Sequence, residues 1–285
     1  MTEYNLFGEE IVKDPILRDR FIEPPFSVLD TKTGSWQKRK KTWSSLGIQS
    51  EVGRDAKSFN TEGSFAGKKV SLNNTSIFDP ALCEVLYHWF CDDGGKILDP
   101  FAGGSVRGIV ANYLGYKYTG IDIRHEQIAS NRDQAIDILA VSNQPNWYVG
   151  DSNEVLDGMG AEFDLVFSCP PYADLEVYSD LKGDVSNMNY EDFIAAYRSI
   201  ISKSCSKLKK GAYACFVVGE VRNKDGSFLG FVPDTIRAFT DCGMEFYNEA
   251  ILLNMLGTAM MRANGNMKSK KLVKVHQNIL VFRKP

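Results

Sequence analysis

The chain has 285 residues, 44% hydrophobic and 24% charged, with a formal net charge of −3. That balance describes a globular chain long enough for one large core, and it leaves no internal repeat or low-complexity tract to explain. No apolar run approaches the roughly 20 residues of a membrane-spanning helix, and the opening MTEYNLFGEE is acidic where a secretory signal is basic and then apolar, so a cytoplasmic protein with no membrane partner is expected.

Six scattered cysteines without a CxxC pair, and three histidines, argue against structural zinc, any other metal centre or a disulfide framework. With a net charge of −3, contact with a polyanion must come from local basic clusters rather than from the field of the whole molecule.

Residues 1–75 lack sustained periodicity and are rich in turn formers; they are expected to form an N-terminal arm with a short helix. Within it the basic run Lys38, Arg39, Lys40 and Lys41 lies between Trp36 and Trp43. From residue 76 a catalytic domain is expected to run to residue 285. It begins with FDPALCEVLYHWF, apolar at helical intervals, with Asp79 as N-cap and Pro80 at the first helical position.

Short apolar runs and helical stretches then alternate: KILDP, VRGIVANYLG, YTGIDI, HEQIASNRDQAIDILA, WYVGD, FDLVFS, YEDFIAAYRSIISKSCSKL, AYACFVVGEV and VPDTIRAFTDCG. ILLNML and QNILVFRKP close the chain. This alternation predicts an α/β fold, a mostly parallel sheet with helices on both faces. The last two strands lack a clear helix between them and are expected to pair as a terminal antiparallel hairpin around a basic loop, 257–275, carrying Arg262, Lys268, Lys270, Lys271 and Lys274.

The sharpest local signal is Ile97 to Ser105, ILDPFAGGS, an apolar strand entering a glycine turn that opens a helix. Glycines there admit a ligand close to the backbone, and the helix start offers free N–H groups. Such a turn suits a dinucleotide as well. The next strand ends at Asp122, about 20 residues beyond the glycines, where a carboxylate can take both ribose hydroxyls, and a third ends at Gly150-Asp151-Ser152. Acidic ends on three successive strands favour a nucleoside-containing cofactor. A fourth strand ends in Ser168-Cys169-Pro170-Pro171-Tyr172, a rigid tip that holds an acceptor and an aromatic face at the sheet edge.

In these motifs the sequence resembles the DNA amino-methyltransferases, in particular phage and prophage DNA modification methylases. The resemblance covers DPFAGGS at 99–105, Asp122, GDS at 150–152 and PPY at 170–172, and extends to EPPFSVLDTKTGSWQKRKKTWSSLGIQSE and KVHQNILVFRK. It implies a Rossmann-like fold and S-adenosylmethionine as cofactor. The glycine turn, with Asp99, Phe101, Gly103 and Gly104, would hold the methionine part, Asp122 the ribose and Asp151 the adenine, and Phe78 would stand in the family's remaining cofactor segment. The reaction implied is methyl transfer to the amino group of adenine (N6) or cytosine (N4) in DNA, with Cys169, Pro170, Pro171 and Tyr172 as the catalytic set and Tyr172 stacked on a flipped base.

Cys169 departs from that pattern, since the family has Asp, Asn or Ser there, and a thiol is a weak acceptor. Three other readings therefore stay open: ring-carbon methylation of cytosine with Cys169 as nucleophile, methylation of an RNA guanine or a protein amide, and a binding protein with a decayed site. Glu220, at the end of AYACFVVGEV, is a candidate contact to a base edge or a solvated partner of Arg222. Lys38, Arg39, Lys40, Lys41, Arg262, Lys270 and Lys271 are candidate phosphate contacts.

Overall fold

The structure, a computed structural model, describes residues 17–48, 63–65, 68–70, 78–160, 162–171, 185, 188–223, 225–257 and 259–285. Its elements run α1 (Leu17–Phe21), β1 (Val28–Asp30), α2 (Gly34–Ser44), β2 (Gly63–Phe65), β3 (Lys68–Val70), α3 (Pro80–Phe90) and β4 (Lys96–Asp99). They continue with α4 (Val106–Tyr113), β5 (Lys117–Asp122), α5 (His125–Ile138), β6 (Asn146–Val149), α6 (Ser152–Asp157), β7 (Phe163–Ser168) and α7 (Tyr190–Ser206). The last are β8 (Leu208–Val218), α8 (Phe231–Asp241), β9 (Glu245–Leu253), α9 (Ala259–Lys268) and β10 (His276–Arg283).

Eight strands form one sheet in the order β1-β9-β10-β8-β7-β4-β5-β6. Every neighbouring pair is parallel except those of β10, which is antiparallel to both β8 and β9. The expected α/β fold and terminal antiparallel pair are thus present. From β4 the chain moves outward through β5 and β6, then returns to the other flank of β4 with β7. Between β4 and β7 the direction of winding reverses, and open α/β sheets bind ligands outside the carboxyl ends of the strands at such a point.

The strands alternate inward residues between two cores, because successive side chains leave a strand on opposite faces. Ile97, Leu165, Phe167, Cys215 and Val217 pack on the face covered by α2, α3, α4 and α5. Leu98, Val166, Ala214, Phe216 and Val218 pack on the face of α6, α7 and α8. α3 begins as its sequence requires, with Asp79 Oδ1 accepting from Ala81 N–H at 3.0 Å and Pro80 in the first turn.

Two expectations are corrected. Where it is described, the segment expected as an N-terminal arm belongs to the core: β1 pairs in parallel with β9, Val28 beside Ile251, and Trp36 and Trp43 of α2 are buried. Their indole N–H groups donate to Asp79 Oδ2, at the N-cap of α3, at 3.0 Å and to Glu84 Oε2, on α3, at 2.7 Å, so each large ring is buried with its polar atom satisfied. The stretch 257–275 is also not simply a loop, for α9 occupies much of it. Among the described residues no helix is long and apolar enough to cross a membrane.

Candidate active site at the carboxyl ends of the strands

The glycine turn after β4 is built around one buried carboxylate. Asp99 is fully buried, with Oδ1 accepting from Phe101 N–H at 3.1 Å and Ser168 Oγ at 2.6 Å. Its Oδ2 accepts from Tyr118 Oη at 2.7 Å and Arg107 Nε at 2.5 Å. Arg107, from α4, also donates through Nη2 to the Phe101 and Ala102 carbonyls at 2.6 and 2.8 Å, and its guanidinium lies 4.7 Å from the Phe78 ring centre. Burial works against the Arg107 charge, but the Asp99 carboxylate more than offsets it and holds the group above its usual range. Burial, aided by Asp99, likewise pushes the Tyr118 hydroxyl up, so it keeps the proton it donates.

This corrects one residue of the expected cofactor set. Asp99 is turned inward, on the same face as Ile97, and both its oxygens are occupied; it braces the turn and presents nothing to a ligand. Arg107, the other half of the brace, escaped the sequence reading. The available signal was a lone cation in the apolar helix opening Val106-Arg107-Gly108-Ile109.

Of the remaining members, Gly103 and Asp122 meet at the sheet edge, whereas the Phe78 and Phe101 rings pack against the two opposite cores. Gly103 takes φ +51°, a left-handed conformation suited to glycine, and a side chain there would enter open space. Its N–H donates to Asp122 Oδ2 at 2.9 Å, while Asp122 Oδ1 accepts from Arg124 N–H at 2.8 Å. Gly104 follows on the turn. Gly150 N–H donates to the Asp122 carbonyl at 3.0 Å, tying the end of β6 to that of β5. Asp151 caps α6, accepting from Asn153 N–H at 2.8 Å. The Phe101 ring turns toward Tyr197 and Phe216, with centroids at 5.8 and 6.5 Å.

Across the reversal point, β7 delivers Cys169, Pro170 and Pro171; Tyr172 lies outside the described residues. Cys169 is partly exposed and packs against the same core as Phe78. Ser168 is fully buried and donates to Asp99, so its hydroxyl cannot stand in for Cys169 at the edge.

The basic candidates divide. Arg39 pairs with Glu84 at 2.6 Å and Lys40 with Asp79 at 3.4 Å, fastening α2 to α3, whereas Lys38 and Lys41 are exposed. Arg262 and Lys270 are exposed, while Lys271 lies across Gly226. Because Asn278 pairs with Val218 and His276 with Leu253, the connection between β9 and β10 emerges on the same edge as Cys169.

Glu220 receives a different role from either reading of the sequence. It accepts from Gly230 N–H at 3.3 Å and Val232 N–H at 2.9 Å, closing the start of α8. Arg222 turns away, donating to the Gly226 carbonyl at 2.6 Å and lying 3.9 Å from the Phe228 ring centre.

Beside Glu220, the Lys274 ammonium is buried with no hydrogen-bond partner among the described residues. Burial lowers its pKa and the Glu220 charge opposes that change. A lysine with a depressed folded pKa costs stability wherever both states are charged, and the cost disappears as pH climbs from the folded value toward the ordinary lysine pKa near 10.4. Lys274→Met is therefore expected to raise the unfolding temperature at neutral pH and to abolish the stabilisation that the parent gains between those two values. Melting curves over a pH series check both, and equal curves for parent and variant would show that the ammonium is solvated.

No family model and no curated protein sequence match the chain. Among solved structures it is similar to TrmN from Thermus thermophilus, with a TM-score of 0.50 and 14% identity over 73% of this chain and 49% of that one, so the chain spans about half of TrmN's length. It is similar as well to the magnesium protoporphyrin IX methyltransferase ChlM of Synechocystis with bound SAM, at TM-score 0.45 and 14% identity, covering 72% of this chain and 79% of ChlM. A TehB-like SAM-dependent methyltransferase from Corynebacterium glutamicum gives 0.44 and 18%, covering 74% and 89%. The likeness to TrmN concerns the fold, a Rossmann-like α/β fold.

Proposed function

We propose that the protein is an S-adenosylmethionine-dependent methyltransferase that methylates an exocyclic amino group of a DNA base, N6 of adenine or N4 of cytosine. The observation that carries this reading is the pairing, across the β4–β7 reversal, of a glycine turn tied to Asp122 with a Cys-Pro-Pro tip. The donor set suits the cofactor: open space beside Gly103 for its amino-acid chain, the partly exposed Asp122 carboxylate for its ribose, and Asp151 on the next strand end for its adenine. When bound, it supplies a methyl group already activated for displacement.

The chain's own task is to hold the amine. An aromatic amine is a poor nucleophile because its lone pair is delocalised into the ring. Acceptors at Cys169 and the Pro170 carbonyl, aimed at the amino hydrogens, would favour a pyramidal nitrogen with its lone pair directed at the methyl carbon. Tyr172 would stack on the base, a contact worth about 1 to 3 kcal/mol against the cost of extruding it from the duplex. Basic residues on the same edge, Arg262 and Lys270 among them, would take the phosphates.

Transfer of labelled methyl groups, with DNA, RNA and protein offered in parallel, tests the substrate class; label in DNA, recovered as an amino-methylated base by mass spectrometry, is expected. Cys169→Ser tests the chemistry, because a hydroxyl is the better acceptor and much the poorer nucleophile. The serine variant should keep or gain activity. An inactive but folded variant, together with an adduct trapped by 5-fluorocytosine DNA, would instead establish covalent methylation of a ring carbon.

A further inference from the structure

Between β9 and β10, the stretch 254–275 contains Arg262, Lys268, Lys270, Lys271 and Lys274 and no acidic residue, in a chain whose net charge is −3. α9 runs through it with only Ala259 buried. Met260 and Met261 are 74% and 67% exposed and Met267 is 50% exposed. A surface helix ordinarily turns its large apolar residues to the core; this one turns them to solvent, at the edge where the site lies.

The helix also ends unusually. Lys271 N–H donates to the Asn266 carbonyl at 2.9 Å and Lys270 N–H to the Met267 carbonyl at 3.0 Å, the pair of bonds that closes a helix through a left-handed residue. That residue is Lys270, at φ +57°. Glycine takes this conformation without strain and lysine does not, so a cation is held there at a conformational cost.

Cations without acids, beside bare flexible apolar side chains, match a partner that is polyanionic outside and layered with flat apolar groups within, which describes duplex nucleic acid. A lipid surface fits less well, because α9 has ten residues and Asn264, Gly265 and Asn266 interrupt it. We propose that α9 and its lysine turn are a wedge on duplex DNA, in which Met260 and Met261 enter between bases at the site edge while Arg262 and Lys270 hold flanking phosphates. This deepens the DNA-methylating function proposed above and rests on it.

Two variants test the wedge. Lys270→Gly relieves the backbone while removing the charge: its melting temperature should stay or rise, its affinity for a fluorescein-labelled random-sequence duplex should fall, and its log–log salt slope should shrink by about 0.9. Met260→Ser/Met261→Ser should leave that slope unchanged and lower methyl transfer to duplex genomic DNA about tenfold, since unstacking a step costs a few kcal/mol. Transfer to the same DNA after heat denaturation should stay within about twofold of the parent, because separated strands need no wedge. Equal losses on duplex and denatured DNA, no loss on either, or conversion of a parental dimer to monomer with duplex methylation unchanged would overturn the wedge and leave DNA methylation standing. A parent chain that methylates RNA or protein but not DNA would overturn the function and the wedge together.

Discussion

Asp99→Asn is expected to lower the stability of the folded protein by about 3 to 5 kcal/mol, the cost of removing one partner from a buried ion pair. The reason lies in the count of donors. Each Asp99 oxygen receives two, and an amide nitrogen in place of either would face two donors with nothing to offer them. The Arg107 guanidinium would remain buried with its charge uncompensated. At roughly 2 to 4 °C per kcal/mol for chains of this size, the melting temperature should fall by on the order of 10 °C. Tyr118→Phe removes a single donor from the same carboxylate and should cost about 1.5 to 3 kcal/mol. Urea denaturation measures both, and an Asp99→Asn variant as stable as the parent would show that the carboxylate does not brace the turn.

Asp122→Ala is expected to weaken S-adenosylmethionine binding by at least about 10- to 100-fold, the loss of one hydrogen bond to a charged group at roughly 1.5 to 3 kcal/mol. Its carboxylate takes the Gly103 and Arg124 amides at the sheet edge, where a ribose would meet both the acid and the turn. Stability without cofactor should change far less than in Asp99→Asn, because Asp122 is not sealed in the core. Calorimetric titration supplies the affinity, and a value unchanged from the parent would remove Asp122 from the cofactor site.

These two aspartates show what the sequence made legible. Both end apolar strands near glycines, and strand–helix alternation alone placed them on one edge of one sheet. Their opposite fates depended on pleat: Asp99 shares its face with Ile97 and meets Tyr118 and Arg107, a meeting of three segments that no local pattern announces. β1 escaped for a related reason, being three residues long and paired with β9 more than 200 positions away, with Thr31 Oγ1 donating to the Leu253 carbonyl at 2.7 Å. α9 escaped because Ala-Met-Met-Arg-Ala-Asn-Gly-Asn has no helical spacing of apolar residues; a helix that buries one alanine leaves no such trace. The basic run at 38–41 was visible, but the acids that claim Arg39 and Lys40 are on α3 and at its N-cap, some 40 positions on.

The Asp99 carboxylate has a consequence for how two ligands would share this edge. One of its oxygens receives both the Phe101 amide, which leads into the glycine turn, and the Ser168 hydroxyl, which immediately precedes Cys169. The glycine turn and the Cys-Pro-Pro tip are therefore hung from a single atom. Were one ligand to bind at the turn and another at the tip, any gain in affinity passed across such a junction would be returned in equal measure in the opposite direction.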